Sequence, residues 1–552
     1  MRAFALLQLA LVASCCARAG GVGEAKAAHA HAAALRELGA APLRAVYPPA
    51  SGGVPPELLS GGVANLGRSA RTAALLAKLR RGEAVTLLVL GGSVTNRHAG
   101  CTDALVRCAG NVSGSGDGAC CGLVEVRDHP ESHAARGAGW ARMFLDWLAD
   151  TWPPAAPGRH RLYNAGVVGA GNSPEPFVHC WLGRLPAQFD LALLETHVQD
   201  SHQRPGGADA ALEHLLRALL SHGGGVPVVA LVPSYNWCHG PAWSVMSADH
   251  VCRAHPGLNK TATSLYTPFA AGGGGYEDAA LTLAQYYSLP ALSQRNALFT
   301  WLASNASGWA LPGDASEDGP HPAPPMQRVV ADILVHWWRL IALTHTYFDE
   351  PVAHAAAPQP LPLPAAATSL PYVTQACYGQ NSGLRALAVA PEDGGGFAWR
   401  DEASRAEGAK FGFEAAALNA TVAFKVTLRR PQLPVDDDVA AAAVPLVGVE
   451  LLHTARDGGA ARLSCDAGCS CEAVTVDCAA AAFSLPRTHH LRVAAAAADC
   501  VVRVTVARAG RVKVLGITLG ASRDGAVPQP GDAATYFAVP LAPELGNGEA
   551  QP

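Results

Sequence analysis

The segment Leu87-Leu-Val-Leu-Gly-Gly-Ser-Val-Thr95 decides how this chain is read. Four consecutive apolar residues running straight into two glycines mark a strand buried on both faces, because a strand with one wet face alternates apolar with polar residues. Such a strand belongs to a parallel sheet covered by helices. In an open α/β sheet, ligands bind outside the carboxyl ends of the strands, and glycines there let the backbone turn sharply and expose the next side chain. That side chain is Ser93, a candidate nucleophile. The commoner employment of a serine at such a place is to cap the helix that follows.

Outward from this strand the same alternation continues. Ala64 to Arg81 carries apolar residues at helical spacing, and Ala84 to Leu90 is the buried strand. A Trp140 to Leu148 helix, a Phe189 to Glu195 strand, an Ala208 to His222 helix, a Val226 to Val232 strand and a helix from Met326 to about Leu343 follow. Short apolar strands separated by helices predict a parallel sheet with helices on both faces over residues 61–350. Residues 20–60, rich in Ala, Gly and Pro, read as a leader, and the Pro/Ala-rich 351–371 as a linker. Beyond Tyr372 the period becomes two. Val422, Phe424, Val426 and Leu428 alternate with Ala423, Lys425 and Thr427, and Val502, Val504 and Val506 alternate with Arg503 and Thr505. With Val447 to Leu452 and Val512 to Leu519 this predicts an all-β sandwich over 372–522, followed by a tail, 523–552.

The 552 residues allow two to four domains at roughly 150 residues each. Basic and acidic side chains number 41 and 45, and no long basic run stands out, so nucleic acid is not an expected partner. Residues 1–19 contain Arg2, an apolar run from Ala3 to Ala13, and Ala17-Arg18-Ala19, the layout of a secretory signal peptide. No later stretch reaches the roughly 18 apolar residues of a membrane span, since Val335 to Leu343 is cut by His336 and Arg339. The sequons at Asn111, Asn259, Asn305 and Asn419 and a total of 15 cysteines fit a secreted or cell-surface chain. In the C-terminal part Cys377, Cys465, Cys469, Cys471, Cys478 and Cys500 are even in number. They lack paired Cys-x2-Cys knuckles, so disulfides are expected and no metal.

A serine hydroxyl becomes a useful nucleophile when a neutral imidazole takes its proton and an acceptor fixes that imidazole's tautomer. Asp318-Gly-Pro-His321-Pro supplies both groups in a Gly/Pro loop just before a helix. Tyr163-Asn-Ala-Gly-Val-Val-Gly-Ala-Gly-Asn172 follows a strand, and Gly169 offers a backbone N–H to a developing oxyanion. Leu193-Leu-Glu-Thr-His-Val-Gln-Asp200 leaves another strand with the Gln199 amide as a further donor and His197 nearby. Tyr235-Asn-Trp-Cys-His-Gly-Pro-Ala-Trp243 carries Trp237 and Trp243, which either stack on a sugar ring or simply pack. The Ser93 segment is not a Gly-x-Ser-x-Gly elbow, because Thr95 stands at the second glycine position. That disfavours the α/β-hydrolase fold.

In chain order these four blocks, Gly-Gly-Ser, Asn-x-x-x-x-Gly, a strand ending in a polar pair, and Asp-x-x-His, resemble the SGNH/GDSL hydrolase family over about Leu87 to Leu340. The resemblance implies a flavodoxin-like three-layer α/β/α domain acting on esters. It implies Ser93 as nucleophile and oxyanion donor, Gly169 as second donor, His321 as base and Asp318 as its orienting acid. Tyr286-Tyr-Ser-Leu-Pro290 and, more loosely, Gly396-Phe-Ala-Trp-Arg-Asp-Glu402 are similar to segments of algal and plant members. Two departures stand out: Gly-Gly-Ser replaces Gly-Asp-Ser, and Gln199-Asp200, one methylene longer, replaces Asn-Asp. The expectation is a secreted serine esterase that needs no cofactor, acting on acylated carbohydrate or another small ester. Two rivals stand beside it: a carbohydrate O-acyltransferase using the same triad, and an inactive glycan-binding cell-surface protein, which the Gln199 departure keeps open.

Overall fold

Strand Leu87–Leu90 does enter a parallel sheet, and its side chains split between two cores. The computed structural model describes residues 54, 56–67, 69–92, 94–95, 124–125, 139–155, 157–165, 185–186, 188–195, 209–220, 222, 227–232, 275–303, 322–347, 372–379, 383–389, 395–401, 411–428, 444–454, 457–479, 485–495 and 499–522. The first unit runs α1 (Pro56–Gly61), β1 (Val63–Asn65), α2 (Ala70–Arg80), β2 (Thr86–Gly91), β3 (Val124–Glu125), α3 (Trp140–Thr151), β4 (Arg161–Asn164), β5 (Leu191–Glu195), α4 (Asp209–Leu220), β6 (Val228–Leu231), α5 (Gly275–Tyr286), β7 (Ala291–Leu292), α6 (Gln294–Ala303) and α7 (Pro324–Tyr347).

Among the described residues the sheet order is β1-β7-β6-β5-β2-β4-β3. Strands β2, β4, β5, β6 and β7 pair in parallel, while β1 and β3 are antiparallel edges. Leu87 and Val89 face a core built with α2, α3, α6 and α7. Leu88 and Leu90 face a second core built with α4 and α5. This two-sided burial is why Leu87–Leu90 of β2 and Leu191–Leu194 of β5 contain no polar residue. Helix α7 follows from its spacing: Met326, Val329, Val330, Ile333, Leu334, Trp337 and Ile341 are all buried at intervals of three and four residues. Its polar face carries the Arg328–Asp332 pair at i,i+4.

Two boundaries differ from the sequence expectation. The helix expected from Ala64 begins at Ala70, because residues 63–65 pair with β7 and Gly67 turns the chain at φ +64°. A Cβ at Gly67 would lie 2.1 Å from the Pro290 nitrogen, so only glycine fits there. Ser69 then caps α2: Thr72 N–H donates to Ser69 Oγ at 3.4 Å, and Ser69 N–H donates to Thr72 Oγ1 at 3.0 Å. The end of the expected leader is also ordered, since Pro56–Gly61 forms α1 and Leu59 packs on the first core. The Tyr286–Pro290 segment is the turn into β7. There Tyr287 donates to Glu213, and Asn65 Nδ2 donates to the Leu289 carbonyl at 2.6 Å.

The second unit holds β8 (Tyr372–Gly379), α8 (Leu384–Leu387), β9 (Ala388–Val389), β10 (Ala398–Asp401), β11 (Phe411–Ala415), β12 (Thr421–Thr427), β13 (Val444–His453), β14 (Ala460–Ala467), β15 (Cys469–Ser470), β16 (Val474–Asp477), β17 (Leu485–Arg492), β18 (Ala494–Ala495), β19 (Asp499–Arg508) and β20 (Val512–Ser522). One sheet runs β10-β11-β20-β13-β17 with β8 on β20, the other β16-β14-β19-β12-β9. Their inner faces share one core, in which Val422, Phe424 and Val426 meet Val502, Val504 and Val506 within one sheet and Val447, Val449 and Leu451 from the other. Cys465–Cys471 and Cys469–Cys500 are disulfides, and Cys377 is disulfide-bonded as well. Full pairing of the six cysteines does not hold, because Cys478 is a buried free thiol whose pKa burial pushes up to about 11. No helix among the described residues is long and apolar enough to cross a membrane.

Candidate active site

Parallel register brings three strand ends level. Val89 pairs with Asn164 and Gly91 with Glu195, so the carboxyl ends of β4, β2 and β5 lie side by side. Numbered as they occur in the chain, the five parallel strands run 2-1-3-4-5 across the sheet, and the order reverses between β2 and β5. A reversal of this kind opens a crevice outside the strand ends, where α/β proteins bind their ligands. The chain leaves β2 at that reversal through Gly91 and Gly92.

The exit is tightly built. A Cβ on Gly91 would lie 1.9 Å from the Glu195 carbonyl oxygen and 2.1 Å from Thr95 Oγ1, so the position admits no side chain. Gly92 N–H donates to the same Glu195 carbonyl at 3.2 Å. Thr95 folds back over the strand end, with its Oγ1 3.3 Å from Glu195 Oε2 and 3.5 Å from the Leu90 carbonyl. Asn164 Nδ2 donates to the Thr95 carbonyl at 3.2 Å. Thr95, Asn164 and Glu195 are 0%, 2% and 1% exposed, respectively. Buried polar groups persist where hydrogen bonds satisfy them, and these bonds join the ends of β2, β4 and β5. The sequence reading gave these three residues no role. A usable signal was the single carboxylate ending the otherwise apolar run Leu191-Ala-Leu-Leu-Glu195.

Ser93, Gly169, His197, Gln199, Trp237, Trp243, Asp318 and His321 lie outside the described residues. Of the elements they attach to, the parallel pairings set β4, β2, β5 and β6 side by side. Ser93 stands between Gly92 and Val94, both buried, and Gly169 follows β4 and Ala165. His197 and Gln199 follow Glu195 of β5, Trp237 and Trp243 follow β6, and His321 immediately precedes Pro322 and α7. Gln327 Nε2 closes the start of that helix by donating to the Pro322 carbonyl at 3.3 Å.

The shifted histidines of this unit hold structure together. Burial lowers the pKa of His160, whose Nδ1 accepts the Val85 N–H at 3.1 Å and whose Nε2 lies 2.9 Å from the Trp152 carbonyl. Burial and then Arg339 lower that of His336, whose Nε2 lies 3.0 Å from Ser60 Oγ and ties α7 to α1. Among the described residues one group of metal-capable side chains occurs, Cys465, Cys469 and Cys500, and all three are in disulfides.

No protein-family model matches the chain, and no curated protein matches it. Among solved structures it is similar to a two-domain esterase (CEX) active on acetylated mannans, co-crystallised with mannopentaose. Identity is 16%, the TM-score 0.46, and the match covers 84% of this chain and 98% of that one. It is also similar to Est24, a carbohydrate acetylesterase from Sinorhizobium meliloti, at 16% identity and a TM-score of 0.22, over 47% of this chain and 97% of that one. A third similarity is to TmCBM61 in complex with β-1,4-galactotriose, at 11% identity and a TM-score of 0.14, over 27% of this chain and 87% of that one. At these values the likenesses carry no weight for fold or activity.

Proposed function

We propose that this chain is a secreted serine esterase that removes acyl groups, acetyl above all, from polysaccharides or glycans. The observation that carries the reading is the exit of β2 through Gly91-Gly92 into Ser93 at the reversal of strand order, the place where this architecture binds ligands. The same order supports a flavodoxin-like, SGNH-type layout. In this mechanism Ser93 Oγ attacks the ester carbonyl while His321 takes its proton, and Asp318 holds the imidazole's other N–H. The backbone N–H groups of Ser93 and Gly169 and the Gln199 amide receive the developing oxyanion. Collapse expels the sugar hydroxyl, protonated by His321, and leaves acyl-Ser93. Water, deprotonated by His321, then releases the acid and restores Ser93. Trp237, Trp243 and His197 bind the sugar rings.

The test is hydrolysis of a short-chain acyl ester and of an acetylated polysaccharide by the full chain and its Ser93→Ala variant. The parent turns over both, and the variant loses activity by about 10³-fold or more, as loss of a triad nucleophile does. A parent without activity, or a Ser93→Ala chain as active as the parent, overturns the reading.

A further inference from the structure

Glu195 and Thr95 have no part in the triad, yet they are among the most buried polar residues of the α/β unit and lie at the one strand end where Ser93 emerges. A buried hydroxyl and carboxyl group are costly to keep away from water, so their pairing at 3.3 Å needs a purpose. The geometry gives one. The chain around Ser93 is held at Gly92 by the Glu195 carbonyl, at 3.2 Å, and at Thr95 by the Glu195 carboxyl oxygen through the Thr95 hydroxyl. A third hold comes from the neighbouring strand, where Asn164 Nδ2 donates to the Thr95 carbonyl at 3.2 Å. Gly91 lets these groups close in, because a Cβ there would occupy the space taken by the Glu195 carbonyl and Thr95 Oγ1.

Resting on the esterase reading above, we propose that the Thr95 hydroxyl and the Glu195 carboxyl group, with Asn164, form a positioning clamp that sets the reactivity of Ser93. None of the three touches substrate; each acts by fixing the backbone on either side of the nucleophile. The hydroxyl matters more than its bulk. It has two acceptors within reach, Glu195 Oε2 and the Leu90 carbonyl, and a methyl in its place leaves both without that donor. Displacement of a reacting group by about 1 Å costs on the order of 10²-fold in rate, so a relaxed clamp should appear in rate before it appears in binding.

The experiment compares Thr95→Val, Thr95→Ala and Thr95→Ser with the parent in the full chain, each checked for folding by thermal unfolding. The readouts are the rate of covalent labelling by a fluorophosphonate and kcat and KM for a short-chain acyl ester. Thr95→Val is expected to slow labelling and kcat by about 10- to 100-fold with KM within about twofold, and Thr95→Ser to recover to within about threefold. Thr95→Ala gives the same direction and serves where the valine variant does not fold. A folded variant without the hydroxyl that labels at the parent's rate overturns the clamp while leaving the esterase reading intact. So does a serine variant as slow as the valine variant. A parent that does not label at all brings down the esterase reading, and the clamp with it.

Discussion

Strands β2 and β12 both have a partner strand on either side, yet they are written differently. Between Leu87 and Leu90 every residue is buried, whereas in β12 Val422, Phe424 and Val426 are buried and Lys425 between them is exposed. A parallel sheet covered on both faces has room for polar groups only where its strands end. Strand β12 offers alternate positions to water, as at Lys425, which pairs with Asp499, whereas β13 of the facing sheet is buried from Leu446 through Leu451. In the α/β unit the ends of β2, β4 and β5 gather polar groups, where Asn164 and Glu195 are buried beside Gly91. The polar residues of the sandwich are spread along its strands, some on the surface, as at Lys425 and Arg508, and some buried, as at Glu450, His489 and Lys513.

The largest effect that could break this contrast is a core truncation. Phe424 is fully buried in the sandwich, and Phe424→Ala should cost about 3–5 kcal/mol, seen as a lower melting transition of that unit by calorimetry. Ester turnover per folded chain should stay at the parent value. Loss of turnover at temperatures where the sandwich still stands would mean that chemistry is not confined to the α/β edge.

A smaller difference separates two glycines. At Gly91 an added methyl meets the Glu195 backbone, which cannot swing aside, whereas at Gly448 of β13 it meets the side-chain atoms Thr518 Oγ1, Thr488 Cγ2 and His490 Cδ2. Gly91→Ala is expected to cost about 3 kcal/mol and Gly448→Ala about 1 kcal/mol in chemical unfolding, within the usual range for overpacking. Equal costs would show that the β2 exit is no tighter than an ordinary sheet interior.

The smallest effect is that of pH. His453 and His489 stack with centroids 5.1 Å apart and Nε2 atoms 2.9 Å apart, so one nitrogen donates and the other accepts. Burial, then Arg487, pushes His453 down to about 4. Burial, then His453, His490 and Arg487, pushes His489 down to about 3. The unfolded chain takes up these protons near the ordinary histidine value of about 6.5, so it binds more protons than the folded chain below that pH. The stabilisation is complete above pH 6.5 or so and fades toward pH 3–4. The sandwich's melting temperature should fall as pH drops from 7 to 4, and His489→Leu should flatten that slope. An unchanged slope in the variant would remove the pair from the account.

Local pattern was enough for much of this fold. The unbroken run Leu87–Leu90, the spacing of Met326 to Ile341 and the alternation of Val422 to Val426 each encode their own element. Pairings between distant residues were not legible. Strands β1, β3 and β7 are too short to carry a period, and residues 63–65 become a strand only because Ala291 and Leu292 lie beside them. The clamp escaped for the same reason: Thr95 and Glu195 are 100 residues apart in sequence, and register alone makes them neighbours. Cys478 was counted as paired because spacing reports the number of thiols and says nothing about which are buried alone. The Ser93, Gly169, Gln199, Asp318 and His321 set was legible as residue types in chain order, because each block carries its chemistry in one or two residues next to a strand or helix end.

The central claim is that the exit of β2 presents a reactive serine. Its most direct test is to treat the intact chain with a fluorophosphonate, digest it and locate the adduct by mass spectrometry. The account predicts one labelled peptide, carrying the adduct on Ser93, and no label once Ser93→Ala or His321→Ala is introduced. An unlabelled parent, or an adduct on another serine while Ser93 stays unmodified, would contradict it.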